Sequence, residues 1–130
     1  MAAFDKLIPF LVYEDIAAAH DFLVDVFGFT SGGVERDDAG RAIHAEVRIG
    51  DRVIWLHRVV QELDLLSPRS LPAASSGLGV FVDDVDAHFG KARTRGARIE
   101  SEPRDQPYGL REYGVKDLEG HRWWFAAPLR

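Results

Sequence analysis

Three polar side chains near the middle of the chain combine acid-base and metal-binding capacity: His44, Glu46 and His57. In Ala42-Ile43-His44-Ala45-Glu46-Val47-Arg48-Ile49 the residues alternate, with Ile43, Ala45, Val47 and Ile49 on one face and His44, Glu46 and Arg48 on the other. That period of two is the mark of a half-buried strand. Gly50-Asp51 then turns the chain into Val53-Ile54-Trp55-Leu56-His57, a hairpin that could bring both imidazoles and the carboxylate within reach of one another. Such a group suits general acid-base catalysis, a divalent metal or hydrogen bonding to a ligand. Exposed salt bridges account for the same residues with no function at all. Cysteine is absent, which excludes disulfides, thiolate metal sites and thiol nucleophiles.

Aromatic residues form the second set. Trp55 lies in the strand just described, and Trp123-Trp124-Phe125 closes a later one. Flat π-faces stack on planar rings and attract cations, so these residues suit a planar aromatic ligand, including a cationic one. They also suit a filled core. Tyr108 and Arg111 precede the last hairpin, where a phenol and a flat guanidinium fork could close over a ligand; Arg111 could equally pair with an acidic residue and hold its loop. His20 and His88, among polar helix residues, are expected to be solvated, and His121, in a turn, to be structural.

The elements that must position these residues occur twice. Leu7 to Tyr13 reads as a strand with Pro9 near its start. Asp15 then caps a helix carrying Ile16, Ala19, Phe22, Leu23, Val26 and Phe27, which stops at Gly28. Gly32 to Gly40 reads as a strand end and turn before the first hairpin. In the second half, Leu78 to Val82 is a strand, Asp83-Asp84 caps a helix with Val85, Phe89 and Ala92 on one side, and Gly96 stops it. Lys91, Arg93 and Arg95 complement that helix's dipole. A strand begins at Ala97, Pro103 to Pro107 reads as loop, and Tyr113 to Phe125 makes the closing hairpin around Asp117-Leu118-Glu119-Gly120. Landmarks recur at a near-constant offset: 69 from Asp15 to Asp84, 68 from Gly28 to Gly96, 70 from Gly50 to Gly120. This predicts an α+β fold of two tandem β-α-β-β-β modules in a single domain, at about 4–60 and about 77–130, joined by a linker at about 61–76.

A net charge of −5 and a pI near 5.5 disfavour a nucleic-acid partner, which would need a clustered positive surface. No stretch has the apolar length of a membrane span or the pattern of a leader peptide, so the expected address is cytoplasmic.

Val82-Asp83-Asp84-Val85 after the fifth strand, with Asp117-Leu118-Glu119-Gly120-His121-Arg122-Trp123 in the last hairpin, resembles the vicinal oxygen chelate superfamily of glyoxalase I, extradiol dioxygenases and bleomycin-resistance proteins, although Leu118 stands where proline is usual. The resemblance implies curled sheets forming a cup with helices outside and ligand inside, commonly in a homodimer whose modules can be exchanged. It also implies four metal-ligand places, which fall on Ile8, Trp55 (or Ile54), Gly77 and Trp124. None of these side chains can ligate a metal, so no metal and no cofactor is expected. The cup is instead expected to be lined by Phe10, His44, Glu46, Trp55, His57, Phe81, Tyr108, Arg111 and Trp124. The function this implies is metal-independent binding and sequestration of a planar aromatic antibiotic or metabolite, neutral or cationic. The rival is a lyase, isomerase or oxygenase with unusual ligands or with His44, Glu46 and His57 as acid-base residues.

Overall fold

The computed structural model describes residues 2–130. The first half runs β1 (Phe10–Tyr13), α1 (Ile16–Asp25), β2 (Thr30–Arg36), β3 (Ala42–Ile49) and β4 (Arg52–Arg58). The second runs β5 (Gly77–Phe81), α2 (Val85–Thr94), β6 (Arg98–Asp105), β7 (Leu110–Lys116) and β8 (Arg122–Pro128). Each set of strands forms a four-stranded mixed sheet, ordered β1-β4-β3-β2 and β5-β8-β7-β6. In both, the first strand pairs in parallel with the last, and the remaining pairs are antiparallel. The repeat seen in the sequence is therefore a repeat of topology. It holds to the residue along one strand pair: Phe10 faces Trp55 in the first sheet and Gly79 faces Trp124 in the second, so both partners are displaced by 69 positions.

Both helices begin as their sequences predict. Asp15 accepts from Ala18 N at 3.1 Å and Asp84 from Ala87 N at 3.0 Å, filling donors that the first helical turn leaves free. Gly28, at φ 83°, ends the first helix with its N–H on Val24 O. Ile16, Ala19 and Leu23 are buried on α1, and Val85, Phe89 and Ala92 on α2. Near the end of α2, the Arg95 guanidinium donates to Asp25 O at 2.5 Å and that of Arg93 lies 4.9 Å from the centre of the Phe89 ring.

Alternation sorts the sheet residues as expected. Ile54, Leu56, Trp123 and Phe125 are buried toward the helices, whereas Trp55 and Trp124 lie on the opposite faces. The two halves meet through their helix-side layers, where Phe27 makes edge contacts with Trp123 at 5.6 Å and Phe125 at 5.1 Å and Phe29 approaches Trp123 at 5.4 Å. The other sheet faces do not close on each other within one chain.

Two local readings change, and one holds. Gly32 to Arg36 forms the end of β2, as expected, with its ladder interrupted at Gly32. β1 starts at Phe10 rather than Leu7. β6 runs through Pro103, where the sequence predicts loop. It can do so because β6 is an edge strand and its ladder lapses between Ser101 and Arg104, so no hydrogen bond is lost to the missing N–H.

Candidate functional site

Two open sheet faces carry the candidate residues. On the first sheet, register places His44 opposite His57 and Glu46 opposite Trp55, while Phe10 lies beside Trp55 on the parallel strand. The side chains form a continuous patch. The Phe10 ring is 5.3 Å from that of His57, and the His44 ring meets the edge of Trp55 at 5.6 Å. Trp55 Nε1 donates to Glu46 Oε1 at 3.1 Å, and Arg48 Nε donates to Glu46 Oε2 at 3.0 Å. Gly32 makes this possible, since a Cβ there would lie 2.5 Å from Glu46 Oε2. A cavity of about 340 Å³ opens over His44, Glu46 and Trp55. His57 Nδ1 donates to Arg58 O at 2.7 Å, which leaves Nε2 as its free atom.

On the second sheet, Trp124 is held by the absence of side chains. A Cβ on Gly77 (β5) would fall 2.4 Å from Trp124 Cζ3, and one on Gly114 (β7) would fall 3.3 Å from Nε1. Those glycines flank β8 on its two sides, so the indole lies across three strands with one face on the backbone and the other open. Its N–H has no hydrogen-bond partner among the described residues. Phe81 is on the same face, further along β5. Relative exposures are 39% for Trp55, 36% for Trp124, 45% for Phe10 and 62% for Phe81, high for aromatic side chains on sheets.

Two other sequence candidates lie elsewhere. Arg111 points to the second helix, donating to both Asp86 oxygens at 3.0 and 2.9 Å and to Asp105 at 3.0 Å; the loop-holding role fits this geometry. Tyr108 is exposed in the β6–β7 turn and donates to Glu112.

Two histidines expected in solvent are packed. His20 is buried, with Nδ1 on Asp21 at 2.9 Å and Nε2 on Ser31 Oγ at 2.7 Å. His88 donates from Nε2 to Phe27 O at 2.8 Å, accepts from the Tyr113 hydroxyl at 2.6 Å and stacks on Phe125 at 4.0 Å. Burial lowers its pKa below 6.5 and raises that of Tyr113. Polar neighbours in sequence misled because each side chain reaches partners on other elements. His121 is structural, donating to Val12 O at 2.8 Å.

The sequence marks the acidic stretch of the last hairpin as a turn and as part of the family resemblance, and the structure shows that it is also a clamp, a role sequence reasoning missed. Buried Asp117 accepts from Tyr13 Oη at 2.5 Å, Trp123 Nε1 at 3.1 Å and the N–H groups of Glu119 and His121, both at 3.1 Å. Buried Glu119 accepts from Glu14 N at 2.7 Å, Asp15 N at 2.8 Å and Ser67 Oγ at 2.6 Å. The turn thus ties β1, the start of α1 and the linker to the second module. Burial and Asp117 push the Tyr13 hydroxyl well above its ordinary pKa. Two carboxylates spaced two apart inside an apolar hairpin were the available signal.

The metal that the fold implies does not fit these residues. Ile8, Trp55, Gly77 and Trp124 offer no donor atoms for a cation. Both Glu46 oxygens are engaged, and no group of three His, Asp or Glu residues converges among the described residues.

The comparisons agree with this architecture. Residues 5–125 match the Glyoxalase/Bleomycin resistance protein/Dioxygenase superfamily, and the chain belongs to that family. It is 34% identical over 127 residues to an uncharacterised protein of Mycobacterium bovis, covering 95% of this chain and 84% of that one. Among solved structures it is similar to TioX from Micromonospora sp. ML1, with TM-score 0.75, 33% identity and coverage of 97% of this chain and 100% of the other. It is also similar to TnmS3, an antibiotic binding protein from Streptomyces sp. CB03234, with TM-score 0.72, 25% identity and coverage of 98% of each chain. No helix among the described residues is long and apolar enough to cross a membrane.

Proposed function

We propose that the protein binds and sequesters a planar aromatic small molecule, an antibiotic or a metabolite, without a resident metal. The observation that carries this reading is the pair of half-open indoles at equivalent register positions, each fixed in place and each unused by the core. A preformed aromatic surface binds a flat ring with little ordering cost. The description of TnmS3 as antibiotic binding supports the choice of ligand class. The chain acts as a homodimer in which the first sheet of one copy closes over the second sheet of the other. That arrangement would bury aromatic faces that a single chain leaves in water.

Sequestration is favoured over acid-base catalysis because Glu46 spends both oxygens on Trp55 and Arg48, leaving no carboxylate free beside His44 and His57. The test is titration of indole fluorescence with a panel of planar aromatic compounds, with and without EDTA, alongside sedimentation. Saturable quenching in a dimer, unchanged by EDTA and weakened about tenfold or more by Trp124→Leu, is the expected result. A monomer, or binding and turnover that require added metal, overturns the reading.

A further inference from the structure

At the hairpin end of the second sheet, three cations share very few partners. Arg98, Lys116 and Arg122 stand in register across β6, β7 and β8. Directly paired residues point to the same face, and that face also carries Trp124, two residues beyond Arg122. Lys116 Nζ and Arg122 Nη1 both lean on one oxygen, Glu100 Oε1, at 3.2 Å each. Arg98 donates only to a backbone carbonyl, Asp117 O, at 3.2 Å. One half-exposed carboxylate therefore serves a three-residue cluster in a chain whose net charge is −5.

The cluster is partly exposed and borders a half-open cavity. Arg98, Lys116 and Arg122 line a space of about 610 Å³ whose far wall is the linker, at Leu71, Pro72 and Ala73. At its rim Arg69 lies 3.9 Å from both Glu14 and Glu119, and the oxygens of Glu119 already accept from buried donors. Like charges held together repel unless an anion enters, and guanidinium groups offer paired N–H donors that match a carboxylate or phosphate. Along a strand, Arg122 and Trp124 are roughly 7 Å apart, about the length of a fused bicyclic ring.

We infer that the ligand is an aromatic acid, with its ring on Trp124 and its carboxylate or other anionic group seated among Arg98, Lys116 and Arg122. This rests on the aromatic-binding function proposed above and narrows its ligand to an anionic one, where the sequence alone pointed to a neutral or cationic ring. The first sheet has no such cluster: its face-side arginine, Arg48, is taken by Glu46.

The probes that test this are quinoline-2-carboxylate and anthracene-2-carboxylate, each against its own carboxamide, titrated into the whole protein by calorimetry. In the wild type the acids bind about tenfold tighter than the amides, the scale of a charge-assisted hydrogen-bond pair near the surface. Lys116→Gln/Arg122→Gln erases that preference by weakening the acids about tenfold more than the amides. Arg98→Gln is the second variant should the double one melt early, with the same expected direction. Amides that bind as tightly as acids, or a preference that survives in both variants, overturn the inference while leaving aromatic binding intact. If neither acids nor amides bind, both readings fall.

Discussion

The two sheets repeat one topology and place a tryptophan at the same register, yet they hold it by opposite means. Trp55 is tied by its N–H to Glu46, and Glu46 is admitted by a glycine on the neighbouring strand. Trp124 has no tether and lies in a trough cleared by Gly77 and Gly114. Their hairpin turns differ as sharply. Gly50-Asp51 is a short exposed turn between Ile49 and Arg52, whereas Asp117 to Gly120 is folded inward and receives donors from three other parts of the chain. Once a module is duplicated, each copy can keep the backbone while assigning its turn and its open face to different work. Here one copy supplies the polar tether and the other supplies the flat floor and the clamp.

The largest difference should appear in the turns. Asp117→Ala strands four donors, two of them the side chains of buried Tyr13 and Trp123, and should cost about 3 kcal/mol or more in urea unfolding. Asp51→Ala should leave the urea midpoint unchanged. Similar midpoints for the two variants would remove the distinction between clamp and turn.

Next come the two floors. Gly77→Val must displace the Trp124 ring, since even a Cβ would sit 2.4 Å from it. It should weaken aromatic binding about tenfold with little loss of melting temperature, because Trp124 is already half open. Equal affinity in this variant would mean the ring does not need its trough. On the first sheet the effect should be smaller. Glu46→Leu removes the acceptor for Trp55 and should weaken binding by only a few-fold, whereas Glu46→Gln, which keeps a carbonyl acceptor, should bind like the wild type.

The smallest effect concerns the seam between the modules. Burial holds the His88 pKa below 6.5, so the unfolded chain takes up a proton that the folded one resists. The stability His88 contributes is full above pH 6.5 and is lost as pH falls toward its folded pKa. Urea midpoints taken on either side of 6.5 should therefore converge in His88→Gln relative to the wild type; an unchanged difference would place the pH dependence elsewhere.

Periodicity, caps and glycine stops were enough to predict the paired modules, because helix and strand patterns are local and the copies share an offset. The same alternation sorted Trp55 from Ile54 and Trp124 from Trp123. What sequence could not tell was which polar side chain would find a distant partner. His20, His88, Arg111, Asp117 and Glu119 all look like surface residues among their neighbours, and each is defined by contacts with another element.

Side-chain type and a period of two in the sequence were enough to show that two β-α-β-β-β modules each present an aromatic face, and the residues at the metal-ligand places that the family resemblance implies carry no donors. That Trp124 lies flat between glycines, that the acidic turn locks the modules together, and that Arg98, Lys116 and Arg122 gather beside one cavity emerges from the fold alone. Those features depend on register and on long-range packing, which bring together residues that no local pattern connects.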